Sequence, residues 1–434
     1  MRLRRFIYTL TMYMLTPVIV YRLLVRGLRY PDYFARWRER FGFFADPKLR
    51  DSIWIHAVSM GEVNAALPLI DALMQRYAGT PFVITTVTPT GSERVRRIYG
   101  ARVFNVYLPY DLPASIRRFL DRVRPRLAVV METEIWPNLF FACEARRIPL
   151  IVANARLSEK SLRGYGPVRP LAQRALASAR YVAAQSLTDA TRLAELGAAP
   201  ERLGVVGNLK FDMNVPHDLA ERALAMRQAW GARRPVWIAA STHEGEEELV
   251  IKAHAAVLRH FPDALLLFVP RHPERFRPVA QDCRDFGFVT RTRSEDSVAA
   301  MDTQCFVVDT LGELLRFYAA ADVAFVGGSL TPIGGHNVLE PAALSVPIVV
   351  GPHTFNFMEI TASLLESGAA LRVADGAGLA AAVTKLLSDA GLRTRTGSAA
   401  RAAFEREQGG VLRTVAIVEQ VLDGRDPESG IAGS

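Results

Sequence analysis

Charged side chains stand directly beyond short apolar runs along this chain, which is where α/β proteins keep their chemistry. In the second half, Arg271 and His272 follow Leu265–Val269 in "VPRHPERF", and a strand-end arginine suits a bidentate phosphate contact. "DTLGELL" places Leu311, Gly312 and Glu313 after Phe306–Val308, although Glu313 would equally serve as a helix-start acid facing the dipole. In "FVGGSLTPIGGHNVLEP" two glycine pairs, Gly327-Gly328 and Gly334-Gly335, are followed by Glu340; exposed loop N–H groups could cradle phosphate and the carboxylate could bind ribose. In the first half, Glu62 follows Ile53–Val58 in "HAVSMGEVNAAL", a strand, turn and helix start where an anion would otherwise dock. Glu132 and Glu134 follow Leu127–Met131 in "METEIWPN", and their spacing alone does not say which reaches a ligand. Lys210 in "GNLKFD" is one of five lysines in the chain; a surface lysine at a domain junction accounts for it equally well.

The elements that position these residues form two series. Apolar runs at Ile53–Val58, Phe82–Val87, Val103–Leu108, Leu127–Met131, Leu150–Ala153, Tyr181–Ala184 and Leu203–Val206 alternate with helical patterns. A second series runs through Val236–Ala240, Leu265–Val269, Phe306–Val308, Val323–Val326, Pro347–Val350 and Ala370–Val373. That rhythm predicts two doubly wound parallel sheets whose facing strand ends form one cleft. The boundaries read as 1–40, an anchor and basic flank; 41–213, a first Rossmann-like domain; 214–234, a polar, charged, helix-like linker; 235–420, a second domain; and 421–434, a flexible tail. The stretch beyond Gly376 reads as two helices. "STHEGEEE" lacks a second histidine at helical spacing, so no zinc-protease pattern arises, and Ser241 or Thr242 is expected to cap a helix there.

At 434 residues and half hydrophobic, the chain can bury two cores. Its three cysteines have no CxxC spacing, which disfavours a disulfide framework or zinc site. The net charge of +9 suits an anionic partner. Phe6–Tyr21, "FIYTLTMYMLTPVIVY", is uncharged and flanked by arginines, more heavily on its C-terminal side. It is shorter than the roughly 20 residues of a spanning helix and contains Pro17, so an uncleaved anchor entering or lying on the bilayer is expected, with the body cytoplasmic. No basic stripe with stacking aromatics points to nucleic acid.

Taken in order, "HAVSMGEV", "TPTGSERV", "YLPYDLP", "METEIWPN", "IPLIVANARLS", "GNLKFD", "STHEGEEE", "VPRHPERF", "FVGGSL", "GGHNVLEP" and "GPHTFNF" resemble the 3-deoxy-D-manno-octulosonic acid (Kdo) transferases of lipid A biosynthesis, from the anchor to about residue 410. The resemblance implies a GT-B glycosyltransferase moving Kdo from CMP-Kdo to the lipid A precursor, lipid IVA, at the cytoplasmic face of the inner membrane. No metal-ligand cluster is visible in the sequence, so a metal-independent enzyme without a cofactor is expected. The family's general base falls on Glu62, and its transition-state stabilising residues fall on Glu132 and Lys210. Its CMP-binding positions fall on Pro270 and Arg271, on Leu311, Gly312 and Glu313, and on Asn337, Val338, Leu339 and Glu340. Leu311 stands where methionine is usual, a change without consequence if the contact is through the backbone. On this reading Glu62 takes the acceptor hydroxyl's proton as that oxygen displaces CMP with inversion. The competing reading is a GT-B relative acting on a UDP-sugar, an epimerase or another lipid glycosyltransferase.

Overall fold

The computed structural model describes residues 2–213, 215–296 and 298–427, without the side chains of Arg2 and Pro167. The chain forms two compact units: residues 1–213 with 408–434, and residues 214–407. In the first, seven parallel strands follow in chain order: β1 (Ser52–His56), β2 (Phe82–Thr86), β3 (Phe104–Tyr107), β4 (Pro125–Met131), β5 (Leu150–Ala155), β6 (Tyr181–Ala184) and β7 (Leu203–Val205). They lie side by side as β3-β2-β1-β4-β5-β6-β7. Strands buried on both faces need continuous apolar runs rather than alternation, and Ser52–His56 and Leu150–Ala155 are buried at every position. Strand order reverses between β1 and β4, so a crevice opens beyond their carboxyl ends.

The second unit repeats the plan with β8 (Val236–Thr242), β9 (Leu265–Pro270), β10 (Thr290–Thr292), β11 (Cys305–Val307), β12 (Val323–Val326), β13 (Ile348–Val350) and β14 (Ala370–Arg372), ordered β10-β11-β9-β8-β12-β13-β14. Its reversal falls between β8 and β12. Thirteen of these strands coincide with the apolar runs of the sequence. The other, β10, is a three-residue edge strand with Arg291 at its centre, too polar to read as a strand.

Three boundaries differ from the sequence reading. The expected linker 214–234 does hold the helix its pattern suggested, Leu219–Trp230, but that helix belongs to the second unit rather than joining two domains: Trp230 stacks on Phe317, ring centroids 6.4 Å apart. The stretch beyond Gly376 forms three helices rather than two, Gly376–Ser388, Ala390–Arg406 and Gly410–Leu422. The last leaves the second unit, placing Val411, Ile417, Val418 and Val421 in one apolar cluster with Leu69, Ile70 and Leu73 of the first. Of the expected tail 421–434, residues 428–434 lie outside the described residues; Leu422 still closes a helix.

The N-terminal segment is one helix, α1 (Arg2–Arg29), continuous through Pro17. Residues 3–29 have a mean hydropathy of 1.4 in their most apolar window, so the helix is long and apolar enough to cross a membrane. Met14 and Leu28 are 72% and 80% exposed, an apolar surface that water does not favour. Tyr8 ties α1 to the first unit by donating to Asp111 at 2.8 Å. Asp111 also accepts the Asn138 and Leu139 amides, so the "YLPYDLP" motif supplies acceptors for orphan N–H groups at the start of helix Pro137–Ala145.

Candidate active site

The second helix, α2 (Met60–Arg76), begins where β1 ends. Ser59 caps it, its hydroxyl accepting from the Glu62 amide at 3.4 Å, and Glu62 reaches back: Oε2 accepts from the Val58 amide at 2.8 Å and Oε1 from the Ser59 hydroxyl at 3.3 Å. This is a variant of the capping box in which the return bond goes to Val58, one residue before the cap, so Glu62 has a structural task as well as any chemical one. Those bonds hold the carboxylate in one orientation at the β1/β4 crevice. Burial raises its pKa from 4.5 to about 7, the Val58 bond opposes that rise, and the negative charges of Glu132 and Glu134 add to it. A carboxylate titrating near 7 is matched to accepting a proton at neutral pH.

Glu132 sits beyond β4 with a left-handed backbone, φ 56°, anchored by its amide to the Ala153 carbonyl at 2.8 Å. Such a conformation is costly outside glycine and is retained where the side chain must be aimed. Its carboxylate accepts from Arg156 Nε at 3.1 Å. Burial raises the Glu134 pKa as well, and the Glu132 charge adds to it. Lys210 lies on the 3-10 turn Leu209–Phe211 beyond β7. Two asparagines hold that turn: Asn208 accepts the Lys210 amide and Asn154, at the end of β5, accepts the Leu209 amide, each at 3.0 Å. Burial lowers the Lys210 pKa, while Glu132 and Glu62 pull it up and Arg156 pushes it down. Glu62, Glu132 and Lys210 therefore share one neighbourhood. Sequence reasoning missed Asn154 and Arg156; both lie inside the quoted "IPLIVANARLS", yet nothing in that string pairs them with residues 132 or 209.

In the second unit Pro270 closes β9 and Arg271 follows it, exposed, its amide bonded to the Thr242 carbonyl at 3.0 Å. Gly312 has φ 88° and Leu311 is 59% exposed. Glu313 is already engaged, accepting from Arg293 Nε at 3.1 Å and from Thr310 Oγ1 at 2.6 Å, with Arg316 as a third partner. Burial alone would raise its pKa, but these donors hold it at about 2. Asn337 accepts the Leu339 amide at 3.1 Å and donates to Glu340 Oε1 at 3.0 Å, while Val338 and Leu339 are buried. Burial raises the Glu340 pKa, and the Asn337 bond and Arg271 charge oppose it.

Two expectations about this unit change. Neither Ser241 nor Thr242 caps the helix Glu247–Leu258; Glu246 occupies the cap position, and Ser241 has a left-handed φ of 59°. Glu246 also accounts for the glycine loop. Fully buried, it accepts the His243 amide at 3.0 Å and the Leu330 amide at 3.3 Å, and its Oε1 takes the Gly328 amide. The Gly327 amide donates to Ala240 at 2.8 Å, and those of Gly334 and Gly335 to the Gly328 carbonyl at 3.0 and 2.7 Å. The loop amides expected to cradle phosphate are thus bonded within the protein. Glycine is required here for close approach: a Cβ on Gly327 would lie 2.6 Å from Glu246 Oε1 and 2.8 Å from the Ser241 carbonyl oxygen. Nitrogen donors at this crevice come instead from side chains, Arg271, His272, His243 and His336. Among the described residues no group of three His, Cys, Asp or Glu side chains is placed to hold a metal ion.

Residues 35–213 match the family model described as 3-deoxy-D-manno-octulosonic-acid transferase (kdotransferase). A 3-deoxy-D-manno-octulosonic acid transferase of Haemophilus influenzae is 42% identical over 96% of this chain and 99% of its own length. One from Bordetella pertussis is 38% identical over 96% and 99%. Among solved structures, the UDP-GlcNAc 2-epimerase of Neisseria meningitidis superposes with a TM-score of 0.55 over 86% of this chain and 100% of its own, at 13% identity, a likeness of fold alone.

Proposed function

The chain belongs to the 3-deoxy-D-manno-octulosonic acid transferase family, glycosyltransferases of lipopolysaccharide core biosynthesis, and from that premise we propose that it transfers Kdo from CMP-Kdo to the lipid A precursor with Glu62 as general base. The observation that carries the mechanism is the state of Glu62: held in orientation by Val58 and Ser59, half-buried, and raised to about 7. The acceptor is a sugar hydroxyl, too weak a nucleophile until its proton has somewhere to go. Glu62 takes that proton as the oxygen attacks the anomeric carbon of Kdo, on the face opposite departing CMP, so one displacement inverts the configuration.

The donor brings a carboxylate and a phosphodiester. Lys210, with Glu132 and Arg156 fixing its electrostatic surroundings, stabilises charge that grows in the transition state. Arg271 supplies a cation for the phosphate, Leu311 and Gly312 offer backbone to the nucleotide, and Asn337 with Glu340 frames the ribose. Glu313, occupied by its arginines, shapes the loop rather than touching CMP through its carboxylate. The acceptor lives in lipid, and α1 with its arginine flanks would hold the enzyme at the cytoplasmic face of the inner membrane.

Incubating the purified protein with CMP-Kdo and tetraacylated lipid A precursor, followed by mass spectrometry of the lipid, tests the proposal. A gain of one or more Kdo units is expected. An unchanged lipid beside turnover of a UDP-sugar would replace it with the competing reading.

A further inference from the structure

The crevice of the second unit holds a histidine pair that the mechanism above leaves unused. His243 Nε2 and His336 Nε2 lie 2.7 Å apart, with ring planes 4° from parallel and centroids 5.0 Å apart. Parallel planes whose nearest nitrogens are that close cannot be stacked face to face. The rings meet edge to edge through one N–H···N bond, and the two imidazoles form a single titrating unit. His243 follows β8 and His336 follows the glycine loop beyond β12, so the pair spans the strand reversal of this sheet. Both ends are fixed. Glu246 binds the His243 amide, and Gly328, at φ 66°, lies so close beneath the His336 ring that a Cβ there would come within 3.0 Å of it.

The charged and titratable groups around the pair are few. Arg271 and His272 face it from the loop after β9, His272 meeting the His243 ring edge-on with centroids 5.2 Å apart. Glu246 lies behind the His243 backbone, and Glu340 faces Arg271 from the helix Leu339–Ala343. Burial, then the neighbouring cations, holds His336 at about 4 and lowers His243, so the unliganded pair is neutral. With one proton in the N–H···N bond, one outer Nδ1 carries hydrogen and the other does not. Among the described residues neither Nδ1 has a hydrogen-bond partner within the protein.

We infer that His243 and His336 together are the phosphate receptor of this unit, taking up one proton as the donor's anionic groups bind and lending it to the phosphate as CMP departs. The inference rests on the CMP-Kdo reading above and supplies what the glycine loop cannot, since that loop's amides are spent within the protein. A bound phosphodiester and carboxylate set negative charge against the burial and the neighbouring positive charge that keep the pair neutral. The added proton settles on the bare Nδ1; the two Nδ1 atoms stand on the far sides of rings joined through Nε2, so the ring that borders the phosphate presents one N–H to it beside Arg271 while the other ring shares the charge through the N–H···N bond. In transfer, the bond from the anomeric carbon to the phosphate oxygen breaks with its electrons going to that oxygen, which takes the proton from the pair. The acceptor's proton goes to Glu62. Glu62 then releases a proton to water and the pair recovers one with the next donor, so the cycle closes without an added reagent.

Calorimetric titration of the full-length protein in detergent with CMP, at pH 7.5 in HEPES and in Tris, reads the proton directly from the dependence of binding heat on buffer ionisation. About 0.5 to 1 proton taken up per CMP is expected and none with cytidine, which lacks the phosphate; CMP affinity should fall by up to about tenfold per pH unit between pH 7.5 and 9. His336→Asn and His243→Asn should bind CMP about tenfold more weakly with the uptake abolished. CMP bound by the wild-type protein without proton uptake would overturn the inference, as would uptake surviving in both variants. The wild-type result decides by itself if a variant fails to fold. Absence of any CMP binding is a different result and would remove the donor reading from beneath it.

Discussion

Replacing Glu62 with glutamine should make the protein inactive and, at alkaline pH, more stable. The carboxyl is harder to ionise in the folded chain, its pKa raised from 4.5 to about 7 chiefly by burial. A carboxyl with a raised pKa favours the fold below its ordinary value, and that advantage is lost as the pH climbs through about 7. At about 1.4 kcal/mol per unit, the rise corresponds to about 3 kcal/mol above pH 8. Glutamine escapes that cost and its oxygen can still accept from Val58, but a half-buried amide has its own desolvation, leaving a gain of about 1 to 3 kcal/mol. For a unit of this size each kcal/mol moves Tm by about 2 to 4 °C. Thermal unfolding of wild type and Glu62→Gln at pH 8.5 and pH 4.5 checks the sign, since the gain should nearly vanish at the lower pH. The same variant should lose about two to four orders of magnitude in transfer rate, and with CMP-Kdo saturating, so that the donor-linked proton is already bound, wild-type kcat/KM for the lipid acceptor should rise with pH through a midpoint near 7. A variant that transfers Kdo within tenfold of wild type would remove Glu62 as base. One that is dead but equally destabilised at both pH values would show that the capping box outweighs the ionisation.

Lys210→Ala and Arg271→Ala should each slow transfer by about one to three orders of magnitude, the scale of losing a charge-stabilising group, and steady-state rates near wild type would exclude them. Arg156→Ala leaves Glu132 without its 3.1 Å partner, so transfer should fall by about tenfold and the kcat/KM midpoint should move upward as the less neutralised Glu132 opposes ionisation of Glu62; an unmoved midpoint would confine Arg156 to a structural role. Glu246→Ala strands the His243, Gly328 and Leu330 amides and should cost about 3 kcal/mol in urea unfolding, whereas a change below 1 kcal/mol would show that water replaces the carboxylate. Chelator should leave the transfer rate unchanged, and loss restored by a divalent ion would overturn a metal-independent mechanism.

What the sequence disclosed was local. Buried parallel strands announce themselves as apolar runs, which is why Ile53–Val58 and Leu265–Val269 were legible while β10, an edge strand around Arg291, was not. Ser59 and Glu62, three apart, also bond to one another at the start of α2, a local pairing that reading the turn as an anion site passed over. Contacts that close over long separations left no trace. The Glu246 bond to Gly328 joins residues 82 apart, and the helix Gly410–Leu422 follows the second unit in sequence yet packs on the first because its apolar face meets α2. Arg156 and Asn154 escaped notice for the same reason: each takes its meaning from a partner in another strand-end loop. Glycine pairs invite a phosphate reading because exposed amides bind anions, but the reading holds only where those amides are unclaimed, and here the Glu246 carboxylate takes that of Gly328 while backbone carbonyls take those of Gly327, Gly334 and Gly335.

The same kind of group does opposite work in the two sheets. Beyond β1 and β4, burial raises the proton affinity of Glu62 and the like charges of Glu132 and Glu134 add to it, so a carboxylate there is poised to receive a proton. Beyond β8 and β12, the carboxylate of Glu246 is turned inward to the Gly328 and Leu330 amides, leaving Arg271, His272, His243 and His336 to line the strand ends, where burial and then neighbouring positive charge lower the proton affinity of His243 and His336. A reaction that removes a proton from a hydroxyl and builds charge on a phosphate needs both conditions, an acid-rich node that gains proton affinity and a nitrogen-rich node that gains it only when an anion arrives. A sheet that supplied only glycine amides to the phosphate would bind the anion at every pH alike. One that supplies imidazoles makes donor binding depend on a proton, and that dependence is where this chain departs from a phosphate site built on glycine amides.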